Sequence, residues 1–121
     1  LIYVLAKKQV QNIDTDEILL LNSKGQIAEF SSSNIIVDLG DRLITPPLSS
    51  GCLDGVVRSF LLKQKQSVFN IEEQEIELKD LELAEAIYGT NTSVGVFYIK
   101  QFKNIHYTSG RFRQLIELLN Q

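Results

Sequence analysis

The 121-residue sequence predicts a single α/β domain. Short apolar runs bounded by turn residues recur along the chain, as strands do. Other stretches place apolar residues at helical spacing. The length suits one domain, and a chain of this size buries roughly two thirds of its unfolded surface, so a true core is available. A hydrophobic share of 44% with 22% charged residues is ordinary for a globular protein. The net charge is −3 with no basic stripe, which argues against a nucleic-acid binder. No apolar run approaches the roughly 20 residues a bilayer span needs, and no signal-peptide pattern is present. Cys52 is the single cysteine and cannot form an internal disulfide, so a cytoplasmic location is expected.

Residues 1–12, LIYVLAKKQVQN, read as a helix with Ile2, Leu5, Ala6 and Val10 on one stripe and Lys7 and Lys8 on the wet side. Asp14, Thr15 and Asp16 break it. Glu17 to Leu21 is a continuous apolar run, as in a strand buried on both faces. Asn22-Ser23-Lys24-Gly25 is a hairpin turn signal, and residues 26–30 return as a strand. Ile35 to Leu39 and Arg42 to Thr45 form the next pair about Gly40-Asp41.

Pro46 and Pro47 then forbid a helix. Beyond them Leu53, Val56, Val57, Phe60 and Leu61 take helical spacing, with Asp54 as the expected N-cap and Gly55 ending the loop. Residues 63–67 close that helix, and a strand is expected over 68–78. Lys79-Asp80 caps a helical turn, LELAEA. A small-residue loop, Gly89-Thr90-Asn91-Thr92-Ser93, precedes a strand from Val94 to Lys100. A connection or hairpin spans 103–109, and residues 111–121 form an amphipathic helix with Phe112, Leu115, Ile116 and Leu119 on one side.

Several groups could carry chemistry. Glu29 ends a strand beside Ser31, Ser32, Ser33 and Asn34, a carboxylate among donors; it is also readable as a surface residue. The first N–H groups of the helix at Gly55, Val56 and Val57 lack intrahelical partners and favour an anion, or simply begin an amphipathic helix. The Thr90–Ser93 loop can cradle a phosphate or carboxylate, or be a plain turn. Cys52 with His106, the only histidine, makes a poor nucleophile pair, because no third group is set to orient it. No Cys, His and carboxylate set has metal spacing, so no metal site is expected. The acidic run from Glu72 to Glu85 reads as a solvated face.

Three motifs in series, DEILLLNSKGQIAEFSSSNI, TPPLSSGCLDGVVRSFLL and LAEAIYGTNTSVGV, resemble the C-terminal part of the fold-type-IV pyridoxal-phosphate enzymes. That family includes the branched-chain and D-amino-acid aminotransferases and 4-amino-4-deoxychorismate lyase. The resemblance runs along nearly the whole chain. It implies a pseudo-barrel of strands with flanking helices, the C-terminal domain of the D-amino-acid aminotransferase-like enzymes, and pyridoxal 5′-phosphate as cofactor. It implies that Glu29 pairs with the pyridine nitrogen and Leu53 packs on a ring face. Val56 and Val57 would hold the phosphate through backbone N–H groups, joined by the Thr92 hydroxyl. Thr92 and Ser93 would receive a substrate carboxylate. Arg58 matches a frequent family residue to which no contact is assigned.

The sequence departs from the family at Phe30, where glycine is usual and a phenyl ring would crowd the site behind Glu29. Ala86 replaces a common acidic residue and Tyr98 a common proline. Leu1 matches the leucine of an Asn-Tyr-Leu motif, so the Schiff-base lysine and the N-terminal domain are expected upstream, with Lys7 and Lys8 no substitutes. The absence of methionine likewise leads us to expect a fragment or a processed chain. GCLDGVVR favours a 4-amino-4-deoxychorismate lyase, homodimeric when complete and inactive as this segment alone. The alternatives are a branched-chain or D-amino-acid aminotransferase, or a non-catalytic stand-alone domain.

Overall fold

The computed structural model describes residues 2–10, 13–64 and 70–120. Among them one sheet is built from β1 (Ile2–Val10), β2 (Ile13–Leu21), β3 (Ile27–Phe30), β4 (Asn34–Asp38), β5 (Leu43–Thr45), β6 (Ile71–Glu73), β7 (Ala86–Asn91), β8 (Gly95–Phe102) and β9 (Ile105–His106). The strand order is β3-β2-β1-β8-β7-β4-β5-β6, with β9 also on β8. Every pairing is antiparallel except β5 with β6. Helices α1 (Val56–Leu62), α2 (Leu78–Glu82) and α3 (Phe112–Leu119) flank the sheet.

The ends of that strand order meet. The Ile27 N–H donates to the Ile76 carbonyl at 2.7 Å, and Gln26 bridges Glu77 just after β6. The sheet therefore curls around an interior of Leu19, Ile27, Phe30, Ile35, Ile44, Ile76 and Phe97. Alternate residues of the same strands face outward: Ile36, Leu43, Ala86, Tyr88 and Val96 pack under Leu61 of α1 and Leu115 and Leu118 of α3. Strands buried on both faces read as continuous apolar runs, which is why period-two alternation is weak here.

Several expectations need correction. Residues 2–10 form β1, paired residue for residue with β2 from Ile2–Leu21 to Val10–Ile13. The Ile-Tyr-Val opening suits a strand, and a local pattern compatible with either state yields to a nine-residue partner. The side chains of Ile2, Leu5, Lys7 and Val10 lie outside the described residues, but Lys8 is not on a wet face. Its ammonium pairs with Glu17 at 2.8 Å and lies over the Phe97 ring. Asp14, Thr15 and Asp16 are inside β2 rather than breaking an element.

β6 is only three residues long, and the expected helix end and strand start over 65–69 lie outside the described residues. α2 begins three residues earlier than expected because the Glu77 N–H donates to Asp80 Oδ2 at 2.8 Å, a capping contact that fixes the first turn. Residues 89–91 belong to β7, leaving the turn at Thr92, Ser93 and Val94. Gly89 is there for packing: a Cβ would stand 2.1 Å from the Phe97 ring. Among the described residues, no helix is long and apolar enough to cross a membrane.

Candidate functional site

The loop between the prolines and α1 is held over the sheet by side chains. The 3₁₀ turn Leu48–Ser50 closes on Gly51, whose φ of 106° suits glycine. The Leu53 N–H then donates to Glu29 Oε1 at 2.9 Å, and Asn34 Nδ2 donates to the Leu53 carbonyl at 2.8 Å. One residue of the loop is thus gripped at both backbone groups, by β3 and by β4. Gly55 lies against the second grip, since a Cβ there would stand 2.4 Å from Asn34 Oδ1.

The helix opens at Val56 with Gly55, not Asp54, as N-cap. Asp54 instead accepts from Arg58 Nη1 at 3.2 Å. Arg58 is buried, and its Nη2 donates to the Pro46 carbonyl at 3.0 Å and to Glu73 at 2.5 Å. The guanidinium ties loop, helix and β6 together. From the other side, Asn91 Nδ2 donates to Ser33 Oγ at 2.8 Å, and the Val94 N–H donates to Asn91 Oδ1 at 2.7 Å. These bonds fix the Thr92 turn against the serine run.

Between them lies an open cleft of about 410 Å³. Glu29, Leu53, Val56, Val57 and Thr92 all line it, together with Asn34, Gly55, Thr90 and Asn91. Leu53 and Val56 stand at its lip, 74% and 72% exposed. Ser93 is exposed in the adjoining turn and is not among the lining residues. The first-turn N–H groups at Val56 and Val57 have no intrahelical carbonyl to reach.

Three departures noted in the sequence fall outside this cleft. Phe30 does not crowd Glu29: strand alternation sends it to the interior, where it is 1% exposed and packs on Phe97 at 5.8 Å between ring centroids. Ala86 is buried beneath α3, and Tyr98 meets Phe112 edge-on at 4.8 Å.

Behind the serine run, Glu17 is 3% exposed. It accepts from Ser31 Oγ at 2.8 Å, Ser32 Oγ at 3.3 Å, the Ile18 N–H at 2.9 Å and Lys8. Burial pushes its pKa up, but the Lys8, Ile18 and Ser31 hydrogen bonds outweigh this and hold it below the ordinary carboxylate value. Burial raises the Cys52 thiol. Its sulfur lies 3.7 and 3.6 Å from the Pro46 and Pro47 carbonyls, while His106 is on the β8–β9 hairpin. Among the described residues, no cluster of three or more His, Cys, Asp or Glu could hold a metal ion.

The amino-transferase class IV sequence profile matches residues 1–102. The chain belongs to the class IV aminotransferase family. Members of this family depend on pyridoxal 5′-phosphate. A Thermotoga maritima protein described as a probable branched-chain-amino-acid aminotransferase is 34% identical over 99 residues, covering 81% of this chain and 36% of that protein. The aminodeoxychorismate lyase of Bacillus subtilis is 27% identical over 117 residues, covering 94% of this chain and 40% of the enzyme. The branched-chain aminotransferase of Thermoproteus uzoniensis, solved with norvaline, superposes with a TM-score of 0.80 at 24% identity, covering 86% of this chain and 36% of that one. This last likeness bears on fold. The chain therefore spans well under half the length of these relatives.

The donor set of the cleft suits the family's cofactor. It offers a carboxylate on one wall and peptide N–H groups at the start of a helix opposite. It also has a buried hydroxyl, Thr90 Oγ1, that has no partner among the described residues.

Asn34 is a functional candidate that reading the sequence did not single out, and Thr90 and Asn91, read as part of a loop that could cradle an anion, lie on β7. Asn34 appeared only as the end of a polar run, because its importance lies in its cross-strand position opposite Thr90.

Proposed function

We propose that this chain is the cofactor-holding part of a pyridoxal-phosphate enzyme of the 4-amino-4-deoxychorismate lyase type, releasing pyruvate and forming 4-aminobenzoate for folate synthesis. The convergence of Glu29, Leu53, Val56, Val57 and Thr92 on one cleft carries the reading. Bound there, the cofactor would act as an electron sink for a carbanion next to the substrate nitrogen.

The chain's own residues bind and orient. Glu29 presents a carboxylate to the protonated ring nitrogen, its orientation set by the Leu53 N–H. Leu53 supplies an apolar face, so the same residue fixes the acid and covers the ring. Val56 and Val57 offer N–H groups to the phosphate and Thr92 a hydroxyl, while the Thr92-Ser93 turn receives a substrate carboxylate. The complete protein is a homodimer in the cytoplasm. The 121-residue segment alone has no turnover.

The lyase reading over the aminotransferase reading rests on Asp54 and Val57 in GCLDGVVR, where branched-chain enzymes more often carry proline and threonine. The 34% identity to the Thermotoga protein favours the second reading, a branched-chain aminotransferase. The full-length protein, supplied with 4-amino-4-deoxychorismate or with a branched-chain amino acid and 2-oxoglutarate, separates them. Pyruvate with 4-aminobenzoate is the expected outcome; glutamate formation with no pyruvate would replace the first reading by the second.

A further inference from the structure

Thr90 sits on β7, two residues before Thr92, which opens the turn that follows the strand. It is 1% exposed and lines the cleft, yet its Oγ1 has no hydrogen-bond partner among the described residues. The other polar side chains behind this wall are satisfied: Asn34 by the Leu53 carbonyl and Ser33 by Asn91. A second buried threonine, Thr45, donates to the Ile35 carbonyl at 2.6 Å. A buried hydroxyl left unpaired pays its full desolvation cost, so native proteins rarely leave one without a use.

Two other orphans, Ser50 Oγ and Arg58 Nε, do not line this cleft. Val57 stands across the cleft and offers its backbone N–H but no hydroxyl. A ligand oxygen lying near the start of α1 thus meets a wall with one side-chain donor still unused.

We infer that the Thr90 hydroxyl is a phosphate-binding donor, placed one step deeper in the cleft than Thr92 and completed by an oxygen of the cofactor's phosphoryl group. The inference rests on the functional reading above and adds a residue to its anion subsite. The phosphoryl oxygen supplies what no acceptor among the described residues does: a charged acceptor for a buried O–H. Hydrogen bonds to charged groups are stronger than neutral ones, so the contribution to affinity is about tenfold to a hundredfold.

The test is titration of the full-length protein, wild type and variants, with pyridoxal 5′-phosphate and with unphosphorylated pyridoxal, read by absorbance. The ³¹P resonance of the bound phosphate is read in parallel. Thr90→Val should weaken pyridoxal phosphate about tenfold or more, leave pyridoxal unchanged and move the ³¹P resonance. Thr90→Ser should restore both. If the valine variant does not fold, Thr90→Ala carries the same comparison. Equal pyridoxal phosphate affinity with an unmoved ³¹P resonance would overturn the inference while leaving the functional reading intact. So would equal losses for both ligands. Failure of the wild type to bind pyridoxal phosphate would overturn the functional reading and this inference with it.

Discussion

Gly55→Ala isolates one contact. Gly55 has φ −64° and ψ 153°, a conformation open to any residue, so alanine brings no backbone strain. Its Cβ would stand 2.4 Å from Asn34 Oδ1. Ordinary contact begins near 3.4 Å, so helix start and amide must separate by about 1 Å. Asn34 is 7% exposed and its Nδ2 holds the Leu53 carbonyl at 2.8 Å, which leaves the amide little room to retreat. Losing that bond costs about 1 kcal/mol, and the overpacking about 1–3 kcal/mol more. The substitution should therefore destabilise the protein by about 2–4 kcal/mol in urea unfolding.

The double-mutant cycle supplies the control. In an Asn34→Ala background the obstructing amide is gone, and Gly55→Ala should cost less than about 0.5 kcal/mol. Equal costs in the two backgrounds, or a single-variant cost below about 0.5 kcal/mol, would refute the steric reasoning.

Glu17 has a lowered pKa, so its stabilisation is present above the ordinary value of 4.5 and lost as pH falls below it. Acid unfolding followed by circular dichroism should show that limb, and Glu17→Gln should flatten it. Burial raises the Cys52 thiol, so at neutral pH it should react with a disulfide reagent far more slowly in the native protein than in urea. Arg58→Met removes the donor to Pro46 and Glu73. Glu73 is half-exposed and can rehydrate, so the cost should be about 2 kcal/mol in a denaturant titration, below that of stranding a fully buried charge.

What the sequence made legible was local. Pro46 and Pro47, the Asn22–Gly25 turn and the helical spacing after Gly55 each act within a few residues, and each feature stands where expected. Glu29, Leu53, Val56, Val57 and Thr92 also meet at one cleft. The misread segments depend on partners far along the chain. Residues 2–10 take strand geometry against β2, and Gly89 is a strand residue because the Phe97 ring lies on it. Phe30 looked harmful beside Glu29 only because adjacent strand residues were not assigned to opposite faces. Asn34 and Thr90 gained importance when β4 and β7 were seen to pair at those two positions.

The sheet's β6 border is short and charged. β6 contributes three residues, and Glu72 and Glu73 are exposed along it, with Glu73 anchored by Arg58. An open strand edge is a template on which another chain can add its own strand, and brevity with charge is how natural sheets discourage that. The acidic run thus guards against strand addition at this edge. Glu72→Val would turn the same border into a seed for aggregation, whereas Glu73→Val would also strip the buried Arg58 guanidinium of its Glu73 partner.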